Sequence, residues 1–336
     1  MKQTMKQTMW LGVRMLIVFL VLVVLPPNGS AQTVTRMNIA HSMISKETAS
    51  LWVAEANGLF KKHGIDAGIV LITSGTTLTQ ALVAGDVQMG LTAPPPVLAA
   101  VAGGSEMKIV LGQANGLNFV LAGNPKLVKI EDLKGKKVGV SQVGSSTYIG
   151  LMLALEHFKM DPMRDGITIV GAGSDPARFA ALTAGGLDAS ILNPGFVPRL
   201  REQGYKVLVD LNELKIPYTQ GSFVVSQKLI NENPDLVQRV VNALAESIVY
   251  CRDPMNKEAI LTLLARKMRL KNVRDAEGHY GQILATYERK PYPSIDGLRN
   301  VIRFLGQTNP KVAQIRPEDV VDVSFIKKLD EKGLFN

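Results

Sequence analysis

One cysteine, two tryptophans and four histidines are spread over 336 residues. The lone Cys251 has no partner for an intramolecular disulfide, and so few Cys and His form no cluster with metal-ligand spacing. Aromatic residues make up 6% of the chain and no basic run is interleaved with them, which argues against nucleic-acid binding by stacking and phosphate contacts. A phosphate-cradling Gly-x-x-x-x-Gly-Lys and a nucleophile elbow are both missing. Gly171-Ala172-Gly173 is followed by Pro176 where a dinucleotide fingerprint needs its third glycine. The expectation is therefore a protein without cofactor, metal or catalysis of its own.

Long apolar runs are also scarce. Residues 15–25 form an unbroken one, about half of the ~20 residues that span a bilayer. Lys2, Lys6 and Arg14 precede it, Pro26-Pro27 ends it, and Gly29-Ser30-Ala31 supplies small residues for a peptidase. That order predicts a cleavable signal peptide over 1–31 and export. With no cysteine near the cleavage point to carry a lipid, the predicted location is the periplasm. Removing the three leader cations from 38 leaves 35 Lys and Arg against 29 Asp and Glu, a net charge of +6. This diffuse excess suits an anionic small ligand. Cys251, inside the apolar SIVYCRD, reads as a buried helical thiol.

What the chain does have is an echo. LTQALVAGDVQMGLTAPPP from Leu78 returns as RFAALTAGGLDASILNPGF from Arg178, with Ala81, Leu82, Ala84, Gly85 and Pro94 recurring one hundred residues on. Upstream, Ile69-Val70 and Ser74 recur as Ile169-Val170 and Ser174. Two copies of a helix–strand unit predict two similar α/β lobes with a ligand cleft between them. Strands are expected at 36–40, 68–72, 87–91, 108–112 and 117–122, then at 137–141, 167–170, 187–192, 205–210 and 221–225. Helices are expected at 47–56, 76–84, 146–158 and 176–184, and again at 235–251, 257–268, 275–288, 295–304 and 317–332. The first lobe would hold 32–122 and 223–336, with the C-terminal helices packed on it. The second would hold 123–222, and two crossovers, near 122–125 and 218–222, would form the hinge.

Ligands of open α/β sheets bind beyond the carboxyl ends of strands. The loops there carry His41 and Ser42; Ser74, Gly75 and Thr76; Thr92, Ala93 and Pro94; Gly144, Ser145, Ser146, Thr147 and Tyr148; Ser174; and Asn193 and Pro194. Helix starts offer backbone N–H groups under a positive dipole end, a setting for anions. Each of these serines alone is equally an ordinary N-cap, and His41 an ordinary strand-end histidine. As a group facing one cleft they read as a binding site, with Tyr148 and Tyr218 as candidates for its apolar wall. Trp52 reads as core, and Arg178 as a solvated side chain unless it has a specific partner.

The stretches LWVAEANGLFKKHGIDAGIVLITSG, QALVAGDVQMGLTAP, IEDLKGKKVGVSQVGSSTY, DPARFAALTAGGLDASILNPG and IPYTQGSFVVSQKLINENPDLVQRVVNAL resemble periplasmic solute-binding proteins of the nitrate/sulfonate/taurine class. That family also includes thiamine-pyrimidine-precursor binders and fungal pyrimidine synthases. The resemblance implies a type-II periplasmic-binding fold and a monomeric receptor for a small-molecule solute. It also implies an ABC importer permease, with its ATPase subunit, as partner. It places the loop after the first strand and the Ser74-Gly75, Thr92–Pro94 and Ser145–Tyr148 loops on the ligand. The fungal enzymes carry a cysteine-rich segment tied to iron, whereas this chain has Cys251 alone. A sensory receptor on the same fold is the alternative to a transport receptor.

Overall fold

The echo has a backbone cause. Helices Gly75–Ala84 and Asp175–Thr183 both end at a glycine in the left-handed region, Gly85 (φ 84°) and Gly185 (φ 79°). The following amides of Asp86 and Gly186 bond back to the Ala81 and Ala181 carbonyls at 3.0 and 2.8 Å. This closure satisfies terminal carbonyls, needs the glycine, and aims the chain into the next strand.

The computed structural model describes residues 34–72 and 74–336; the expected signal peptide and its cleavage point lie outside the described residues. Strands β1 (Thr35–His41), β2 (Ile65–Leu71), β3 (Met89–Thr92), β4 (Met107–Asn115), β5 (Val120–Gly123), β6 (Lys137–Val140), β7 (Thr168–Gly171), β8 (Ala189–Leu192), β9 (Lys206–Asp210) and β10 (Thr219–Ser226) form two sheets. Their orders are β2-β1-β3-β10-β4 and β7-β6-β8-β5-β9. In both, three parallel strands are followed by an antiparallel one. The registers match as well, with Ile39 beside Met89 and Val138 beside Ala189.

The helices are α1 (Ala49–Ala56), α2 (Leu59–Lys62), α3 (Gly75–Ala84), α4 (Pro94–Ala102), α5 (Ser146–His157), α6 (Asp175–Thr183), α7 (Val197–Glu202), α8 (Gln227–Glu232), α9 (Pro234–Arg252), α10 (Lys257–Met268), α11 (Glu277–Thr286), α12 (Ile295–Gly306), α13 (Pro310–Ala313) and α14 (Ser324–Glu331). Strand alternation sends Met37, Ile39 and Phe223 to one face of the first sheet, where they meet Trp52 of α1 and Val240, Val241 and Leu244 of α9. Ala40 and Val224 face the other way, into a core that continues through Leu117, Phe119 and Tyr218 to Val138 and Ile191 of the second sheet and Ile149 of α5. α9 starts with Pro at its first position, where the missing N–H costs nothing. Its buried stripe ends at Cys251, whose thiol burial pushes up.

Four expectations are corrected. Val120–Gly123 lies in the second sheet, not the first, because Val120 and Ala122 bury against Phe179, Leu182, Leu192 and Leu200. Thr219–Ser226 lies wholly in the first sheet, where Ser222 sits fully buried between β3 and β4. The chain therefore crosses at 116–119 and 211–218, and the expected divisions at 122 and 222 both move toward the N-terminus. Pro94, expected in a loop, opens helix α4 together with Pro95 and Pro96, since first-turn residues need no N–H partner. The single helix expected over 317–332 is a short turn at Pro317–Val320, a bridge from Val321 to Ile109, and α14.

The C-terminal block packs on the first sheet as expected, but α12 also reaches the second half. Arg303 forms a bidentate pair with Glu156 of α5 at 2.6 and 2.7 Å. α12 rests on the second crossing, with Asn300 Nδ2 donating to the Pro217 carbonyl at 2.9 Å and Thr219 Oγ1 to the Ser294 carbonyl at 3.0 Å. A Cβ at Gly297 would lie 2.6 Å from the Thr219 nitrogen and the Tyr218 carbonyl carbon, backbone that cannot swing aside. Gly297→Ala is expected to lower unfolding free energy by about 1–3 kcal/mol. Gly281→Ala, whose Cβ meets nothing within 4 Å, should raise it by roughly 0.5–1 kcal/mol; urea midpoints of the two variants check the contrast.

Candidate ligand-binding cleft

At the carboxyl edge of the first sheet, Ser42 continues the ladder, its N–H donating to the Leu91 carbonyl at 3.3 Å. Ser74 caps α3 by accepting from the Thr77 N–H at 3.3 Å and is exposed, as is Thr76. Gly75 brings two loops together: a Cβ there would fall 2.9 Å from Thr92 Oγ1 and 3.2 Å from Pro96 Cγ. Thr92 and Pro94 are buried and Ala93 half-buried. The start of α4 supplies a dipole but no donors, because its first three residues are prolines. Of these two helix starts, α3 keeps its first-turn N–H groups.

In the second sheet, Ser141, Ser145 and Thr147 form a triangle of hydroxyls with sides of 2.8, 2.9 and 2.9 Å. Ser145 also caps α5 through the Tyr148 N–H. Gly144 adopts φ 80° against Leu305 of α12. Ser146 and Tyr148 are half-buried and Thr147 is buried. Ser174 is exposed at the start of α6, and its side chain makes no cap bond. The Asn193 side chain accepts from the Gly195 N–H at 3.0 Å, so Pro194 opens a tight turn.

Arg178 is buried instead of solvated. Its guanidinium donates to the Ile191 carbonyl at 2.9 Å, to the Gly173 carbonyl, and to Asp175 Oδ1 at 2.6 Å. Asp175 Oδ1 also accepts from the Asn193 N–H at 3.1 Å. One side chain thus pins the loops after β7 and β8 to each other. Burial lowers the guanidinium's pKa and Asp175 opposes that shift.

Two candidates turn away from the cleft. His41 is 5% exposed, its Nδ1 lies 2.7 Å from the Met43 carbonyl, and its ring meets Trp52 edge-on at 6.3 Å. It shapes the 41–45 turn. Tyr218 is fully buried, so it is no open wall; burial raises its hydroxyl well above the usual range, with the Ser146 hydroxyl partly offsetting this.

A buried polar network at the crossings was missing from the sequence-derived site. Lys46 and Glu47, each 1% exposed, pair at 3.1 Å. Lys46 Nζ donates to Thr286 Oγ1 at 2.7 Å. Asn118, in the first crossing, donates from Nδ2 to Glu47 Oε1 at 3.2 Å and from its backbone to Gln220 Oε1 at 3.1 Å. Gln113 Nε2 donates to the Glu47 carbonyl at 2.6 Å while its Oε1 accepts from the Ser50 hydroxyl, and Tyr287 Oη donates to the Lys46 carbonyl at 2.6 Å. Burial alone would raise Glu47; Lys46, the Ser45 hydroxyl and backbone bonding outweigh it and hold the carboxyl below its usual range. The available signal was a Lys-Glu pair directly before the apolar helix ASLWVAEA.

This arrangement of two sheets and crossing strands is a periplasmic-binding-protein fold. The alkanesulfonate-binding protein SsuA of Xanthomonas axonopodis pv. citri, bound to MOPS, superposes with a TM-score of 0.70 at 21% identity, covering 87% of this chain and 99% of that one. A periplasmic sulfonate-binding SsuA of Methylobacillus flagellatus KT gives 0.72 at 18%, covering 90% and 96%. The NMT1/THI5-like family model matches residues 45–256, and the chain belongs to that family. Brucella proteins named as binding proteins are 28% identical over 207 residues, 58% of this chain and 60% of theirs, so the chain spans about three fifths of their length. The Escherichia coli (strain K12) taurine-binding periplasmic protein is 30% identical over 209 residues, 60% of this chain and 62% of that protein. A Bacillus subtilis (strain 168) protein named for aliphatic sulfonate binding is 26% identical over 305 residues, 88% and 87% of the two chains. A yeast pyrimidine phosphate synthase is 25% identical over 217 residues, 60% of this chain and 62% of that one.

Removing one partner of the buried pair strands the other. Lys46→Met is expected to cost about 3–5 kcal/mol, with much of it restored in Lys46→Met/Glu47→Leu, as denaturant titration will show. Stability should also fall in acid. Burial lowers the pKa of His41 and His279 from 6.5, so below that pH the unfolded chain binds protons that the folded chain refuses. Glu47, lowered from 4.5, contributes fully above that pH and loses its contribution as pH falls through its folded value. The urea midpoint should decline from pH 7.5 to 5, and less steeply in His41→Gln/His279→Gln.

Proposed function

We propose that this chain is an extracytoplasmic solute receptor that holds a small, anionic or polar organic solute between its two sheets and presents it to the permease of an ABC importer. What supports the reading is that donor-bearing helix starts, Ser74 on α3 and Ser145–Ser146 on α5, follow the carboxyl ends of parallel strands, β2 and β6, in two sheets joined by two short crossings. The named binding of taurine and of aliphatic sulfonates by relatives supports an anionic solute. A leader with the form of a signal peptide and the periplasmic location of relatives support export. The role is binding and release of an unchanged solute. Cys251, the chain's one cysteine, is buried in α9, which gives no support to the fungal synthase activity.

In this reading the solute first meets the first lobe, and rotation about 116–119 and 211–218 brings α5 over it. The permease reads the closed form, so the solute must bind that form more tightly than the open one. A solute at one hundred times its dissociation constant should stabilise the protein by about 2.7 kcal/mol, a shift that a thermal screen with nitrate, sulfonates, aromatic acids and pyrimidines will detect. Ser146→Trp should weaken binding in calorimetry while the unliganded melting point stays near that of the parent. Unchanged affinity, or conversion of the added solute into a product, would count against the reading.

A further inference from the structure

Folded proteins leave few buried polar atoms without a hydrogen bond, and each exception asks for a cause. Three stand together here. Glu47 Oε2, Ser45 Oγ and His279 Nδ1 are buried without a partner among the described residues. The Ser45 hydroxyl faces the Glu47 carboxylate, and the His279 ring lies within the field of Glu47 and Lys46. All three lie around the turn beyond the carboxyl end of β1. The turn after β8 closes over them from the second sheet: a Cβ on Gly195 would sit 3.4 Å from His279 Cε1. Glu47 Oε1 is taken by Lys46 and Asn118, which leaves Oε2 as an open acceptor that can never donate.

We propose that this place receives the amino group of a nitrogen-bearing solute, which donates to Glu47 Oε2 and to Ser45 Oγ or His279 Nδ1. An O–H carries one hydrogen and serves one of these acceptors, whereas an amino group carries two or three. His279 accepts at Nδ1 when its hydrogen is on Nε2. Lys46 offsets the charge of Glu47, so an aromatic amine and an ammonium both fit. The helix starts at Ser74 and Ser145 remain for an anionic group at the other end, which makes amino acids, aminosulfonates and aminoarenes the favoured chemistry over their amine-free analogues. This deepens the receptor reading and rests on it.

Calorimetry on the mature chain with matched pairs tests it: taurine and ethanesulfonate, β-alanine and propionate, 4-aminobenzoate and benzoate, 4-aminopyrimidine and pyrimidine. In any pair that binds, the amino member should be tighter by about tenfold or more, the range of a hydrogen bond to a buried charged group. The advantage should shrink to less than about threefold in Lys46→Met/Glu47→Leu, which removes the charged acceptor together with its partner and keeps much of the stability. An amine-free member that binds as tightly, or an advantage that survives both substitutions, overturns the amino subsite. Binding of nitrate or other amine-free solutes alone also overturns the subsite but leaves the receptor reading standing. A chain that binds nothing in either screen sinks both.

Discussion

The first sheet is completed by a strand that returns from beyond both crossings. β5 enters the second sheet directly after the chain leaves the first, and β10 enters the first directly after the chain leaves the second. Both are antiparallel and lie next to last in their sheets, and each bonds on both sides. The first sheet therefore cannot close until both crossings are in place, whereas β5 to β9 of the second lie consecutively between them. The segments that connect the halves are as much a part of the folded core as of the joint between them, and Leu117, Phe119, Leu211 and Tyr218 carry that core across.

This constraint explains why a charged pair is buried where it is. Lys46 and Glu47 sit on the turn after β1, and their bonds reach β4, the first crossing and the end of α11; Asn118 extends the network to β10. A hydrophobic replacement would hold those segments by packing alone and tolerate several arrangements. A buried hydrogen-bonded polar set is demanding in its geometry, and it fixes the turn beyond β1 relative to the crossings. In the second half Arg178 does comparable work for the loops after β7 and β8, through two carbonyls and one carboxylate.

Much of this was legible in the sequence because the signals were local. The echoed Ala81, Leu82 and Gly85 mark a helix end whose geometry depends on a handful of neighbouring residues, and so the repeat survives as text. Strand positions followed from apolar runs bounded by glycine and proline. The crossings were misplaced because Val120–Gly123 has the same apolar character in either sheet; only Phe179, Leu182 and Leu192 decide its membership, and they are distant in sequence. Pro94 was expected in a loop after its strand, although the first turn of a helix tolerates proline equally well. His41 and Tyr218 were placed correctly along the chain, but the direction of a side chain at a strand end is set by packing. Lys46, Glu47, Asn118 and Gln220 escaped notice because long-range hydrogen bonding leaves no periodic trace.

The proline run at the start of α4 has a further consequence for how a bound molecule would be sensed. A helix start normally offers both a positive potential and hydrogens to share, and here the second is withheld at the first three positions. The potential persists without any demand on the orientation of a lone pair. On the proposed receptor reading, that side of the cleft would read the sign and bulk of a guest while staying indifferent to the geometry of its oxygens. Discrimination by shape and discrimination by bonding would thereby be divided between different helices, and either could drift over evolutionary time without dismantling the other.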